Sequence, residues 1–132
     1  MKRLLLPFIL FLSASVSAHA SRLLIPMDEA QKNHLKAYGI SYWVLKNYGQ
    51  EVEWLLNYRG GSFLLPYGQK FENEMVIRGV SYEVISDGQA GQLEATLAQP
   101  SVNMDVVKLQ KPPRIAVYSP KTKMPWDDAV TL

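Results

Sequence analysis

The sequence contains no cysteine among its 132 residues, which excludes a disulfide, a thiolate metal ligand and a cysteine nucleophile from this chain. Histidine is nearly absent as well. His19 falls within the N-terminal leader described next, so His34 is the one histidine left for the folded domain. A histidine-rich metal site is therefore excluded. We expect neither a metal nor any other cofactor.

Residues 1–20 have the features of a secretory signal peptide. Two basic residues precede an apolar run over 4–16, and small residues at 18 and 20 suit a signal peptidase. The run is shorter than the roughly 20 apolar residues that a membrane-spanning helix needs. We predict cleavage between Ala20 and Ser21. The product would be an exported protein, periplasmic or secreted, without a stable membrane anchor after cleavage.

The charge of the mature chain gives no reason to expect a nucleic-acid partner. The sequence has 14 basic and 12 acidic residues, and the leader removes Lys2 and Arg3, so the mature chain has no net charge. Its length suits one domain, which we place at residues 21–111. An apolar content of 48% is enough for a packed core.

The first part of the domain predicts strand, helix and strand. Arg22–Pro26 is a continuous apolar run, and 28–48 has helical periodicity with Asp28 as N-cap and Gly49 as the terminating residue. Residues 51–58 alternate, with Glu53 on the polar side of a strand whose beginning reaches solvent. This order predicts a parallel βαβ unit. We expect an α/β fold with a Rossmann-like or flavodoxin-like parallel sheet and flanking helices.

The rest of the domain predicts shorter elements. In chain order we expect a strand at 63–66, a helix near 71–79, a strand at 80–86, a turn at Asp87-Gly88, a helix that stops before Pro100, and a strand at 104–109.

The last residues predict a second unit. Lys111-Pro-Pro-Arg114 has the composition of a linker, Ile115–Tyr118 is apolar, and proline with two acids at 125–128 is typical of a helix start. We therefore assign 112–132 to a linker and the start of a second α/β unit that is incomplete at Leu132. The expected partner of the domain is the remainder of a longer chain.

A candidate ligand site follows from the expected parallel sheet, because ligands of such sheets lie beyond the carboxyl ends of the strands. The first helical turns offer backbone N–H groups to an anion, and Arg59 could add a bidentate contact. Gly60 and Gly61 would allow close approach of the backbone. The candidate residues for a small anionic ligand are Asp28, Asn33, His34, Arg59, Gly60, Gly61 and Ser62.

Structural alternatives remain open at each position. The segment Arg59-Gly-Gly-Ser62 could be a hairpin turn with a solvated arginine, and Asp28 could serve only as a helix cap. His34 falls on the apolar face of its helix, where it could be a general base or a core histidine bonded to a backbone carbonyl. No residue qualifies as catalytic.

Several stretches resemble a known family. The segments Leu23-Leu-Ile-Pro-Met-Asp28, Trp54-Leu-Leu-Asn-Tyr-Arg-Gly-Gly-Ser62 and Pro125-Trp-Asp-Asp128 are similar to exported bacterial proteins commonly labelled asparagine synthetase B. That label implies synthesis of asparagine from aspartate, ATP and glutamine. Genuine asparagine synthetases have a cysteine after the initiator methionine, where this chain has Lys2. Their Ser-Gly-Gly-x-Asp-Ser loop is matched only by Gly60-Gly61-Ser62, without the aspartate.

Three functions follow from this resemblance and these residues. The first is an N-terminal α/β portion of an asparagine synthetase B-like exported protein, non-catalytic in isolation. The second is part of an amidotransferase-like enzyme whose nucleophile lies beyond Leu132. The third is a periplasmic binding module for a small anionic or sugar-like solute.

Overall fold

The computed structural model describes residues 21–114 and 116, which form one sheet and three helices. The elements in chain order are β1 (Ser21–Ile25), α1 (His34–Tyr48), β2 (Val52–Leu56), a 3₁₀ turn (Tyr58–Gly60), β3 (Phe63–Pro66), α2 (Gln69–Arg78), β4 (Glu83–Ser86), α3 (Asp87–Leu97) and β5 (Asp105–Leu109). The strands lie in the order β4-β1-β3-β2-β5. An α/β fold is therefore confirmed.

Every pair of neighbouring strands is antiparallel, so the predicted Rossmann-like or flavodoxin-like parallel sheet is wrong. The cause is β3. After β2 the chain reverses through residues 57–62, and β3 inserts between β1 and β2, with Phe63 opposite both Trp54 and Ile25. Both β1 and β2 are antiparallel to β3, so they run in the same direction without pairing.

Apart from the 3₁₀ turn, the elements from β1 to β4 have the order βαββαβ, and their strands lie as β4-β1-β3-β2. This topology is the split βαβ, or ferredoxin-like, arrangement. Helix α3 and strand β5 extend it, because β5 pairs with the outer edge of β2. The likeness is one of topology and carries no function by itself.

Both faces of the sheet are covered. Successive side chains of a strand point to opposite faces, and β1 shows this directly. Leu23 and Ile25 pack with Ala37, Val44 and other residues of α1 and α2. On the opposite face, Leu24 belongs to a smaller cluster with residues of α3; its buried members are Leu24, Leu55, Leu64, Ala90 and Leu97.

Helix α1 starts later than the sequence predicts. It begins at His34, and the side chain of Asn33 accepts a hydrogen bond from the backbone N–H of Lys36 at 3.1 Å. Asp28 instead accepts from the N–H of Ala30 at 3.0 Å and closes a turn. The predicted end is confirmed, because Gly49 adopts the left-handed conformation at φ 58°.

The predicted turn at Asp87-Gly88 is also wrong, since α3 begins at Asp87. The Ser86 side chain accepts from the N–H of Gln89, and the Gln89 side chain accepts from the N–H of Ser86. This capping box starts a helix directly at the end of β4.

Two predictions lie outside the described residues, apart from residue 116: the signal peptide at 1–20 and the elements expected at 115–118 and 125–132. Residues 112–114, which we assign to the linker, contain no helix or strand.

None of the helices in the described part of the chain has both the length and the apolar character needed to cross a bilayer.

Candidate functional site

The loops that follow β1 and β2 meet at one end of the sheet, as the sequence predicts. The N–H of Met27 donates to the carbonyl oxygen of Arg59 at 3.1 Å. Arg59 also donates from Nε to Oδ2 of Asp28 at 2.6 Å. The structure thus brings together Asp28, Arg59 and Gly60, because β1 and β2 run in the same direction even though β3 separates them.

Arg59 already has two carboxylate partners. Besides Asp28, its guanidinium donates to Oε1 of Glu83 at 2.8 Å. The hydrogen bond from Arg59 lowers the pKa of Asp28, and the hydrogen bonds to Asp28 and Glu83 raise the pKa of Arg59. One cation between two carboxylates leaves a net negative cluster. An anionic ligand at this point would have to compete with both of them.

The other candidate residues have structural partners. His34 lies with Nε2 3.1 Å from the carbonyl oxygen of Met27, and its side chain is exposed rather than on the apolar face. Asn33 caps α1. Ser62 is buried and donates to the carbonyl oxygen of Tyr58 at 3.0 Å. Gly61 accepts a hydrogen bond from the indole of Trp54 at 3.1 Å.

The structure also contains a concavity that the sequence analysis did not predict. It has a volume of about 390 Å³ and lies between α1 and the β2–β5 side of the sheet. We call it the aromatic groove; its lining residues are Tyr38, Ser41, Tyr42, Leu45, Trp54, Phe63, Leu109, Lys111 and Pro113. Ligand pockets are typically about 300–1,000 Å³ and mainly apolar, so the groove falls within the range of a small-molecule site.

The rings of the groove hold one another in place. Trp54 and Phe63 stack with centroids 6.1 Å apart, and Tyr38 meets the edge of Phe63 at 5.4 Å. The Trp54 indole is further fixed by its hydrogen bond to Gly61. Two tyrosines stay partly open, with Tyr38 48% and Tyr42 41% exposed. The groove is therefore pre-formed and presents aromatic surface to solvent.

The polar groups of the groove are few. The hydroxyl of Ser41 donates to the carbonyl oxygen of Ala37 at 3.2 Å, so it serves the helix. Among the described residues of the lining, Lys111 is the one that carries a charge. The sequence does hold a signal for this site, since Tyr38, Tyr42 and Leu45 recur at helical spacing. That stripe alone does not distinguish a groove from a buried core.

A polar cleft of about 340 Å³ lies on the opposite side, beside Arg22 and Glu53. Arg22 binds Glu53 and Glu94, each at 3.1 Å, and Asp87 at 3.3 Å. Glu53, expected near solvent, is instead buried, with only 8% of its side chain exposed. This network joins β1, β2 and α3.

No group of three metal-binding side chains with suitable geometry occurs in the described ranges.

No protein-family model matches the chain, and neither the curated proteins nor the solved structures include a significant match to it. The resemblance to exported proteins labelled asparagine synthetase B thus stays a prediction.

Proposed function

We propose that residues 21–114 form a non-catalytic binding domain of an exported protein, and that the aromatic groove holds its ligand. The observation that carries this proposal is the groove itself: a pre-formed cavity of about 390 Å³ lined by four aromatic rings. Large contiguous apolar patches on a protein surface usually mark interaction sites, and small-molecule sites are concave and lined mainly by apolar and aromatic side chains.

The chemistry of the lining favours binding over catalysis. A nucleophile needs an adjacent base, and a general acid or base needs a titratable group near the substrate. The titratable groups of the described lining are Lys111 and two tyrosines, with no carboxylate or histidine of the described lining to activate them, and the Ser41 hydroxyl is bonded to its own helix. The function supported best is therefore recognition of a small solute.

Two expectations from the sequence complete this proposal. Export follows from the composition of residues 1–20, and the domain would act as the N-terminal part of an asparagine synthetase B-like chain. The anion site at Arg59 receives less support than the groove, because Asp28 and Glu83 compensate its charge.

The test uses the mature chain, residues 21–132, labelled with ¹⁵N and titrated with small aromatic and sugar probes. We expect saturable shifts at Trp54 and its groove neighbours. Tyr42→Ala should weaken binding about fivefold or more, because an open ring of the site is lost. Tyr67→Ala is the matched control, since Tyr67 is 42% exposed, close to the 41% of Tyr42, and lies outside the groove. Absence of any saturable shift in the groove would contradict the proposal.

A further inference from the structure

We infer that the ligand of the aromatic groove is a small aromatic acid, whose ring packs on the tyrosine and tryptophan side chains and whose carboxylate pairs with Lys111. This inference rests on the proposed function and specifies the chemistry of the ligand.

The size and shape of the groove select a flat apolar body. A volume of about 390 Å³ lies at the small end of ligand sites, which suits one or two rings. Trp54 and Phe63 are stacked at an interplanar angle of 22°, and Tyr38 stands edge-on to Phe63. An inserted ring could extend either arrangement, because aromatic pairs prefer offset stacked and edge-to-face contacts.

The charge around the groove selects an anion. Lys111 lies at the rim and makes no ion pair within the described ranges of the chain. Among the residues that the structure describes, the lining contributes no carboxylate. A ligand carboxylate would therefore meet the Lys111 ammonium without competition from a carboxylate of the described lining.

The polar groups of the groove fit a sugar poorly. Sugar hydroxyls need several fixed acceptors and donors, which a site supplies with groups such as carboxylates and amides. In the part of the chain that the structure describes, the lining includes no aspartate, glutamate, asparagine or glutamine, and the Ser41 hydroxyl is bonded within α1. An acid with a flat ring matches these groups better than a hydroxyl-rich solute.

The experiment compares two probes of the same shape, indole-3-acetate and its neutral amide, with glucose as the third probe. Binding to the mature chain is followed by the groove resonances. We expect the acid to bind about threefold to fivefold tighter than the amide at low salt, since exposed ion pairs are weak. Added salt should reduce this preference because it screens the charges.

Variants locate the charge recognition. Lys111→Gln should abolish the preference for the acid, because the affinity for the acid should fall much more than the affinity for the amide. Lys36→Gln is the matched control, because Lys36 is an exposed lysine of α1 outside the groove. Equal affinity of acid and amide, or an acid preference that survives Lys111→Gln, would overturn this inference and leave the proposed function standing. Tighter binding of glucose than of the acid would do the same. If no probe binds in the groove, the proposed function fails as well.

Discussion

The carbonyl oxygen of Met27 lies only 2.3 Å from the position that a Cβ atom on Gly60 would occupy. The backbone of the segment after β1 therefore runs very close to that of the turn after β2, beside the hydrogen bond from the Met27 N–H to the Arg59 carbonyl oxygen. Gly60 also has a backbone φ of +80°, a value that residues with a Cβ atom rarely adopt. The close approach that the sequence suggested for a ligand is thus made by the protein's own backbone.

Gly60→Ala should destabilise the domain by about 2 kcal/mol or more. A left-handed conformation costs about 1–2 kcal/mol for a residue with a Cβ atom, and the overlap with Met27 adds to it. Gly39→Ala is the control, because a Cβ there meets nothing within 4 Å and the position is inside α1. The control should gain up to about 1 kcal/mol. Urea unfolding measures both, and a Gly60→Ala protein as stable as the wild type would contradict the role assigned to this contact.

Local chemistry makes much of the fold predictable. Gly49 and Gly79 end their helices in the left-handed conformation, as glycines after a helical pattern usually do. The order of the strands in the sheet is not determined by local sequence, because it depends on which distant apolar segments pair with one another. The four-residue run Phe63–Pro66 lies in the middle of the sheet, a position that its length and terminal proline do not indicate.

The candidate sites likewise include one part that the sequence predicts and other parts that it does not. Asp28 and Arg59 meet because each follows a strand and those two strands share a direction. The aromatic groove combines α1, β2 and β3 with Lys111, which is brought near by the pairing of β5 with β2. The burial of Glu53 likewise depends on α3 covering that face. Such juxtapositions follow from tertiary packing, which residue periodicity does not specify.

Asp28→Asn should change the acid limb of the stability curve. Arg59 lowers the pKa of Asp28 in the folded state, so the ionised carboxylate stabilises the fold above its unfolded pKa. That contribution is lost as the pH falls through the lowered folded pKa. The variant should be less stable than the wild type at neutral pH, and the difference should shrink on acidification. Thermal melts between pH 7 and pH 2 measure this.

Glu29→Gln is the control for Asp28→Asn. Glu29 is the next residue, is exposed and has no ion pair within the described ranges. Its curve should follow the wild type. A constant offset of Asp28→Asn across the whole pH range would show that the loss arises from the turn rather than from the charge.

Export should remove residues 1–20 and leave Ser21 as the first residue. Ser21 opens β1, where its carbonyl oxygen accepts a hydrogen bond from Tyr67 at 2.9 Å. Cleavage two or more residues later would shorten an interior strand of the sheet. Intact-mass measurement of the protein recovered from the periplasm or medium should give the mass of a chain beginning at Ser21. Recovery of a chain that still begins at Met1 would contradict the prediction.

Arg22→Gln should destabilise the domain by about 2 kcal/mol at pH 7. Removing one partner of a buried ion pair usually costs about 3–5 kcal/mol, and we reduce this because 30% of the Arg22 side chain is exposed. Burial raises the pKa of Glu53, the charge of Glu94 raises it further, and Arg22 opposes both. Without Arg22 the pKa of Glu53 should therefore rise further.

The pH dependence separates this electrostatic effect from a loss of packing. A carboxyl whose folded pKa is raised stabilises the fold below its unfolded pKa, and that stability is lost as the pH rises through the folded value. The deficit of Arg22→Gln should therefore be largest at neutral pH and shrink toward pH 4.5, the ordinary pKa of glutamate. Adding Glu53→Gln should restore part of the stability at pH 7. Lys108→Gln, at a residue 59% exposed, should have little effect. A deficit that is independent of pH, or no gain in the double variant, would mean that Arg22 acts through packing alone.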